Sequence, residues 1–132
     1  MNSFAYPLFL LAIFMCGMGC TREASLRSVM RRLDEVDTDA LQEWAAEGLR
    51  DESISDGNPI PFSSRPWASP LRVEDAHAVK LSAIGPYAIL SVRGGPHRIK
   101  LLVGSDGFEP EASSRALLVE YADGIWIEVT SR

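Results

Sequence analysis

The spacing of hydrophobic residues changes three times along the chain, and each change predicts a different structure. An uncharged apolar run comes first, from Phe4 to Gly19. From about Ala24 to Leu49 the apolar residues recur at steps of three and four, which is typical of an amphipathic helix. Prolines and serines interrupt the pattern over residues 51–75, and short strand-like apolar runs fill residues 76–132.

The helical region, residues 20–50, has one apolar face. Its first members, spaced three or four residues apart, are Leu26, Val29, Met30, Leu33 and Val36. Asp37, Thr38 and Asp39 are residue types that favour helix N-caps, and Gln42 stands three positions beyond Asp39. One bent helix and two separate helices both fit this pattern. Trp44 falls on the apolar side, where we expect a core anchor.

Residues 51–75 predict an irregular connector. Proline removes a backbone donor and biases the residue before it towards extended geometry, so regular structure stops here. The four prolines are Pro59, Pro61, Pro66 and Pro70. Ile60, Phe62 and Trp67 lie among them, and they indicate that the connector packs over the core. We therefore expect residues 20–132 to form one domain.

The last third of the chain predicts a sheet. The expected strands are Ala76–Ile84, Tyr87–Arg93, Arg98–Val103, Arg115–Ala122 and Ile125–Thr130. Asp123-Gly124 between two apolar runs favours a type I′ hairpin turn. Short connections make antiparallel neighbours. The predicted fold class is α+β, with an N-terminal amphipathic helix, or two, packed on an antiparallel β-meander of about five strands.

Residues 1–19 are predicted to be a signal segment, because the apolar run Phe4–Gly19 has the length of a secretory signal and is short for a membrane-spanning helix of about 20 residues. The run ends in Gly17-Met18-Gly19-Cys20, which resembles the lipobox of bacterial lipoproteins. That resemblance implies that Cys20 is lipidated and becomes the new N-terminus. The partner would then be a membrane, and the location the cell envelope. An uncleaved anchor, or a plain cleaved signal with a secreted or periplasmic product, are the alternatives.

Charge and cysteine content narrow the functional class. The 13 Lys and Arg and the 18 Asp and Glu all follow Cys20 and give a net charge of −5. Nucleic-acid binders usually present a basic face, and the one basic cluster here is small: Arg93, His97, Arg98 and Lys100. We therefore expect no nucleic-acid partner. Cys16 and Cys20 are the only cysteines, so a chain cleaved before Cys20 has no internal disulfide.

Residues that could carry catalysis are few. The two histidines, His77 and His97, have no serine or cysteine beside them in a recognisable nucleophile context. Asp106, Glu109 and Glu111 surround Gly107 but lack EF-hand spacing, so a solvated acidic loop is expected in place of a calcium site. No catalytic residue, metal site or cofactor is predicted.

The final strands carry the one hint of a binding surface. Their apolar residues stand on both faces, whereas a sheet covered on one side alternates more cleanly. Tyr121 and Trp126 form an exposed aromatic patch if they face solvent; otherwise they are covered core. The predicted function is a non-enzymatic cell-envelope lipoprotein that binds or scaffolds another envelope component.

Two other functions remain open at this point. A small antiparallel sheet behind an N-terminal apolar segment is similar to the minor pseudopilins, and Asp56-Gly57-Asn58-Pro59 and Ser105-Asp106-Gly107 loosely resemble their C-terminal loops. That resemblance implies a structural subunit. The second alternative is a small enzyme or ligand carrier with a pocket between helix and sheet.

Overall fold

Two separate helices begin the part of the chain that the structure, a computed structural model, describes: residues 21–131. Helix α1 spans Arg22–Asp34 and begins at its N-cap Thr21, whose side-chain oxygen accepts a hydrogen bond from the Ala24 N–H at 3.1 Å. Such a cap satisfies one of the free N–H groups of a first helical turn. Cys20 and residues 1–19 lie outside the described residues.

Helix α2 spans Thr38–Arg50 and begins at Asp37. The Asp37 carboxylate oxygen Oδ1 accepts hydrogen bonds from the N–H groups of Asp39 at 3.0 Å and Ala40 at 3.2 Å. Asp37 itself has extended backbone geometry. This cap interrupts the helical region, so of the two interpretations left open by the sequence, two helices is the correct one.

A five-stranded antiparallel sheet follows the helices and confirms the α+β class. The remaining elements are α3 (Ala68–Leu71), β1 (Val73–Val79), β2 (Tyr87–Val92), β3 (Arg98–Gly104), β4 (Ala116–Ala122) and β5 (Ile125–Thr130). All neighbouring strands pair antiparallel. The helices precede the sheet in sequence, as the hydrophobic spacing predicts.

The strand order departs from a simple meander at one place. The order across the sheet is β1-β2-β3-β5-β4. After β3 the long loop 105–115 skips the position next to β3 and leads to β4 at the edge of the sheet. The chain then returns through Asp123-Gly124 as β5, which pairs with β3. The β4–β5 hairpin is therefore where the sequence predicts it, but β5 takes the central position.

The turn of that hairpin is not type I′. Gly124 has φ +86°, but Arg72 is the one non-glycine residue with positive φ between residues 21 and 131, so Asp123 does not meet the type I′ requirement. The register of β4 against β5 instead shifts between Glu120 and Ala122. A β-bulge of this kind, here at Tyr121, bends its strand and increases the local twist.

Strand β1 begins and ends earlier than predicted, at Val73 and Val79 in place of Ala76 and Ile84. Beyond Val79 the backbone leaves the sheet because the N–H groups of Lys80 and Leu81 donate to Asp56 Oδ1 at 2.6 and 3.0 Å. These hydrogen bonds, Leu81 first and Lys80 second, lower the pKa of Asp56. The connector thus fixes the end of the strand.

The connector packs closely on the rest of the domain, as its apolar residues predict. Ile60 and Trp67 are buried. The Trp44 indole N–H donates to the Pro61 carbonyl at 2.8 Å, and the rings of Trp44 and Trp67 meet edge to face at 4.8 Å between centroids. Pro59 forms an isolated antiparallel bridge with His77, so the connector also extends the β1 edge of the sheet.

The hydrophobic core lies between the helices and one face of the sheet. From the sheet it takes the alternate residues Ala76, Ala78, Ala88, Leu90, Val92, Ile99, Leu101, Val103, Ile125, Ile127 and Val129. Val29 and Leu33 of α1 and Leu41 and Trp44 of α2 face them. Two buried hydrophobic residues, Leu102 and Phe108, lie outside this cluster. They belong to the opposite face of the sheet.

Candidate functional site

The face of the sheet away from the helices, here called the open face, carries an apolar row. Strand register aligns His77, Ile89, Leu102, Trp126 and Glu120 across all five strands in spatial order. Leu102 is buried, whereas Ile89 and Trp126 are half-buried. The apolar row, defined as Ile89, Leu102 and Trp126, is therefore flanked by one polar side chain at each edge.

A loop packs along the apolar row on the side where β3 ends. Phe108, in the loop after β3, is only 6% exposed, and its ring lies 4.9 Å from that of Tyr87 between centroids. The Trp126 indole N–H donates to the Phe108 carbonyl at 2.9 Å. Gly104 makes this approach possible, because a Cβ there would lie 2.4 Å from the Phe108 ring. The loop thus holds Trp126 in one orientation.

The other half of the open face is polar. The next row of the register joins Asp75, Ser91, Lys100, Glu128 and Leu118. Lys100 stands directly between Ser91 and Glu128. Opposite charges across a strand pair add modestly to sheet stability. The open face therefore presents an apolar half near the loop and a charged half near the β2–β3 turn.

Tyr121 and Trp126 do not share a surface. Tyr121 packs against the core cluster on the helix side, and its hydroxyl donates to Asp34 Oδ1 at 2.5 Å. Trp126 lies on the open face. The hydrogen bond from Tyr121 to Asp34 raises the pKa of Tyr121 to about 12, with smaller effects from burial and from the Asp34 charge. Tyr121 thus ties β4 to the end of α1.

The Tyr121–Asp34 contact should make stability depend on alkaline pH. The pKa of Tyr121 is raised in the folded state. The contribution of this hydrogen bond to the free energy of unfolding is therefore complete below the ordinary phenol pKa of 10.0 and is lost as the pH rises through about 12. We expect Tyr121→Phe to destabilise the protein at about pH 8 and to have a smaller effect at about pH 11. Urea unfolding of both proteins measures this difference, and an effect independent of pH would contradict it.

A groove opens at the end of the sheet where the β4–β5 hairpin lies. It has a volume of about 450 Å³ and runs between α2 and the loops at Pro86 and Gly104–Asp106. Ala46 and Leu49 contribute apolar wall. Gln42 is already engaged, because its Nε2 donates to the Asp123 carbonyl at 2.7 Å. The volume is in the range of small-molecule sites, and it lies beside the helix–sheet core.

One side-chain pair was missed by sequence reasoning. The Ser25 hydroxyl and His97 Nδ1 lie 2.9 Å apart and share a hydrogen bond, with Ser25 only 5% exposed. In residues 21–131 no carboxylate hydrogen-bonds to the His97 ring. The pair joins α1 to the β2–β3 turn. Seventy-two positions separate the two residues, so no local pattern signals the contact.

Two further features are absent from residues 21–131. No helix between residues 21 and 131 is both long and apolar enough to cross a membrane. In the same range no group of three or more His, Cys, Asp and Glu side chains is placed to hold a metal ion. Cys20, predicted to be lipidated, lies immediately before the first described residue, Thr21.

Comparison with family models, with curated proteins and with solved structures gives no match. The geometry alone defines the class: an α+β domain whose five-stranded antiparallel sheet has one face covered by helices and one open face with an apolar row.

Proposed function

We propose that the chain is a non-enzymatic cell-envelope lipoprotein, anchored in a membrane through Cys20, whose domain binds or scaffolds an envelope protein on the open face. The apolar run and the Gly17-Met18-Gly19-Cys20 sequence support the anchor. Thr21 caps α1 directly after Cys20, so cleavage before Cys20 would remove none of the described helices and strands.

The apolar row is the observation that carries the binding role. Both long helices pack on the opposite face, while the loop around Phe108 contacts Trp126 and the neighbouring Tyr87. Ile89 and Trp126 remain partly exposed, as does Leu118 on the neighbouring edge strand β4. Contiguous apolar surface with a polar rim is typical of protein interaction sites, and Trp is enriched among residues that dominate binding energy.

Lipid attachment is tested by metabolic labelling with palmitate. We expect the wild-type chain to incorporate label and Cys20→Ala to lose it completely, because the thiol of Cys20 is the proposed attachment point. Cys16→Ala is the matched control, since it removes the other cysteine of the same segment and should keep the label. Absence of label in the wild type would reject the anchor.

The binding face is tested by placing a photo-crosslinking amino acid at single positions in intact cells. We expect Ile89 and Leu118, both on the open face, to give the same discrete adduct with an envelope protein. Glu43, exposed on α2 on the helix side, is the control and should give none. Adducts that are equal from all three positions, or absent from Ile89, would contradict a role for the open face.

A further inference from the structure

One end of the domain is rich in arginine. It is the end at which β2 finishes and β3 begins, here called the basic end. The start of α1 lies there, because Arg22 Nη1 donates to the Arg115 carbonyl at 3.4 Å just before β4. Arg72 and Arg93 lie at the same end, where the backbone N–H of Arg93 donates to the Arg72 carbonyl at 3.0 Å. Arg98 opens β3 beside them.

Most of these arginines have no carboxylate partner. The ion pairs in the part of the chain that the structure describes are Arg65–Glu47, His77–Asp75 and Arg93–Glu74. The opposite end of the sheet is acidic, with Asp106 after β3 and Asp123 in the β4–β5 turn. Glu23 of α1 and Glu74 and Asp75 of β1 also lie at the basic end, but its arginines outnumber them in a chain of net charge −5.

A pocket of about 200 Å³ lies in the basic end, between α1, α3 and the β2–β3 turn. We call it the arginine pocket, and its lining includes Ser25, Ser28, Arg32, Arg72 and Gly94. Ser25, Ser28 and Arg32 follow one another at steps of three and four, so they share one face of α1. The pocket therefore combines guanidinium donors with the exposed hydroxyl of Ser28, which are groups that bind oxyanions, while the Ser25 hydroxyl is shared with His97.

The fold holds the guanidinium group of Arg32 in place, and it fixes the backbone of Arg72. Arg32 Nη1 donates to the Leu71 carbonyl at 3.1 Å. Arg32 Nη2 lies close to the backbone of Gly94, where a Cβ would be 3.6 Å away. Arg72 ends α3 in the left-handed conformation, with φ 57° and ψ 48°. Burial, and secondly the positive charge of Arg72, lower the pKa of Arg32.

Two like charges kept close together without a carboxylate are stabilised by a bound anion. We propose that the arginine pocket binds the phosphate group of an anionic phospholipid in the membrane that carries the Cys20 anchor. The choice of a membrane phospholipid over free phosphate as the ligand rests on the proposed lipidation of Cys20. Thr21, one residue after Cys20, is already the N-cap of α1. At about 1.5 Å per helical residue, Ser25 of the pocket lies about 6 Å along α1 from Thr21.

The test uses the full chain purified from membranes in an uncharged detergent and titrated with phosphatidylglycerol, with phosphatidylcholine, or with inorganic phosphate. Native mass spectrometry counts the lipid adducts. We expect phosphatidylglycerol to bind and phosphatidylcholine to bind more weakly. Arg72→Asn should weaken phosphatidylglycerol binding about tenfold, as loss of one charge-assisted contact predicts. Asparagine tolerates the left-handed backbone of this position.

Two further variants separate the pocket from general charge and from misfolding. Ser28→Glu places a negative charge in the pocket from an exposed helical position, and we expect it to abolish binding. Arg50→Asn removes an exposed positive charge from α2, away from the pocket, and should change binding less than about twofold. Thermal unfolding of each variant reports whether it is folded.

Three results would overturn the proposal. They are equal phosphatidylglycerol binding by the wild type and Ser28→Glu, equal binding of phosphatidylcholine and phosphatidylglycerol, and displacement of the lipid by inorganic phosphate at the same concentration. The last result would assign the pocket to free phosphate. The mass of the same sample shows whether Cys20 carries lipid, so a failure of the proposed anchor is read separately from a failure of the pocket.

Discussion

Replacing Leu101 with alanine is expected to lower the free energy of unfolding by about 2–5 kcal/mol. Leu101 has no exposed surface and lies in β3, where it pairs with Leu90 of β2 and Ile127 of β5. Alanine would leave a cavity between the sheet and the helices. Domains of this size are stable by about 5–15 kcal/mol, so the loss is a large fraction of the whole.

Leu81→Ala is the matched control for this substitution. Leu81 comes two residues after the end of β1, and its side chain is 84% exposed outside the core. Surface substitutions of this kind usually change stability by less than about 0.5 kcal/mol. Urea unfolding of the two variants compares the same chemical change at a buried and an exposed site. Similar losses in both would contradict the placement of the core between the helices and the sheet.

Gly124→Ala is expected to cost about 2–4 kcal/mol, because two separate penalties add. Gly124 has φ +86°, a conformation that alanine adopts reluctantly. Its added Cβ would also lie 2.9 Å from the carbonyl oxygens of Gly104 and Ser105, and 2.7 Å from Gln42 Nε2. The Gly124 carbonyl accepts from the Gly104 N–H at 2.8 Å, so the turn cannot move away without loss of this contact.

Gly57→Ala separates the two penalties. Gly57 has a similar φ of +82°, but a Cβ there meets nothing within 4 Å. We expect this variant to lose only the conformational part, about 1–2 kcal/mol. Thermal or urea unfolding measures both. If Gly57→Ala were as damaging as Gly124→Ala, the close approach of the β4–β5 turn to the end of β3 would carry no energetic weight.

Local signals in the sequence predicted the elements that depend on local chemistry. The apolar spacing of α1 and α2 and the cap residues around Asp37 act within a few positions, and both helices appear there. Asp123-Gly124 placed the last hairpin correctly, because only short segments separate its strands. The α+β class follows from the same signals, since the helical spacing ends before the strand spacing begins.

Contacts between distant segments were not predictable in this way. Nothing in the apolar pattern indicates that β5, not β4, pairs with β3, because either choice buries similar residues. The short helix α3 lies in a segment whose prolines predict irregular structure. The bridge from Pro59 to His77 gives the connector a place in the sheet that proline composition does not signal.

The positions of Tyr121 and Trp126 show how one residue changes a candidate site. A two-residue turn without a bulge would place Tyr121 directly opposite Trp126, on the same face. The bulge shifts the register by one, so Glu120 pairs with Trp126 and Tyr121 turns to the helix side. Because side chains alternate between faces, a single-residue shift exchanges them. The open face therefore keeps Trp126 and loses Tyr121.

The mature N-terminus of the chain, determined by intact mass and fragmentation of protein isolated from membranes, tests the central claim most directly. The account predicts that residues 1–19 are absent and that Cys20 is the first residue and carries covalent lipid. A chain that still begins at Met1, or one whose Cys20 is unmodified, would contradict the anchor and the membrane setting proposed for both the open face and the arginine pocket.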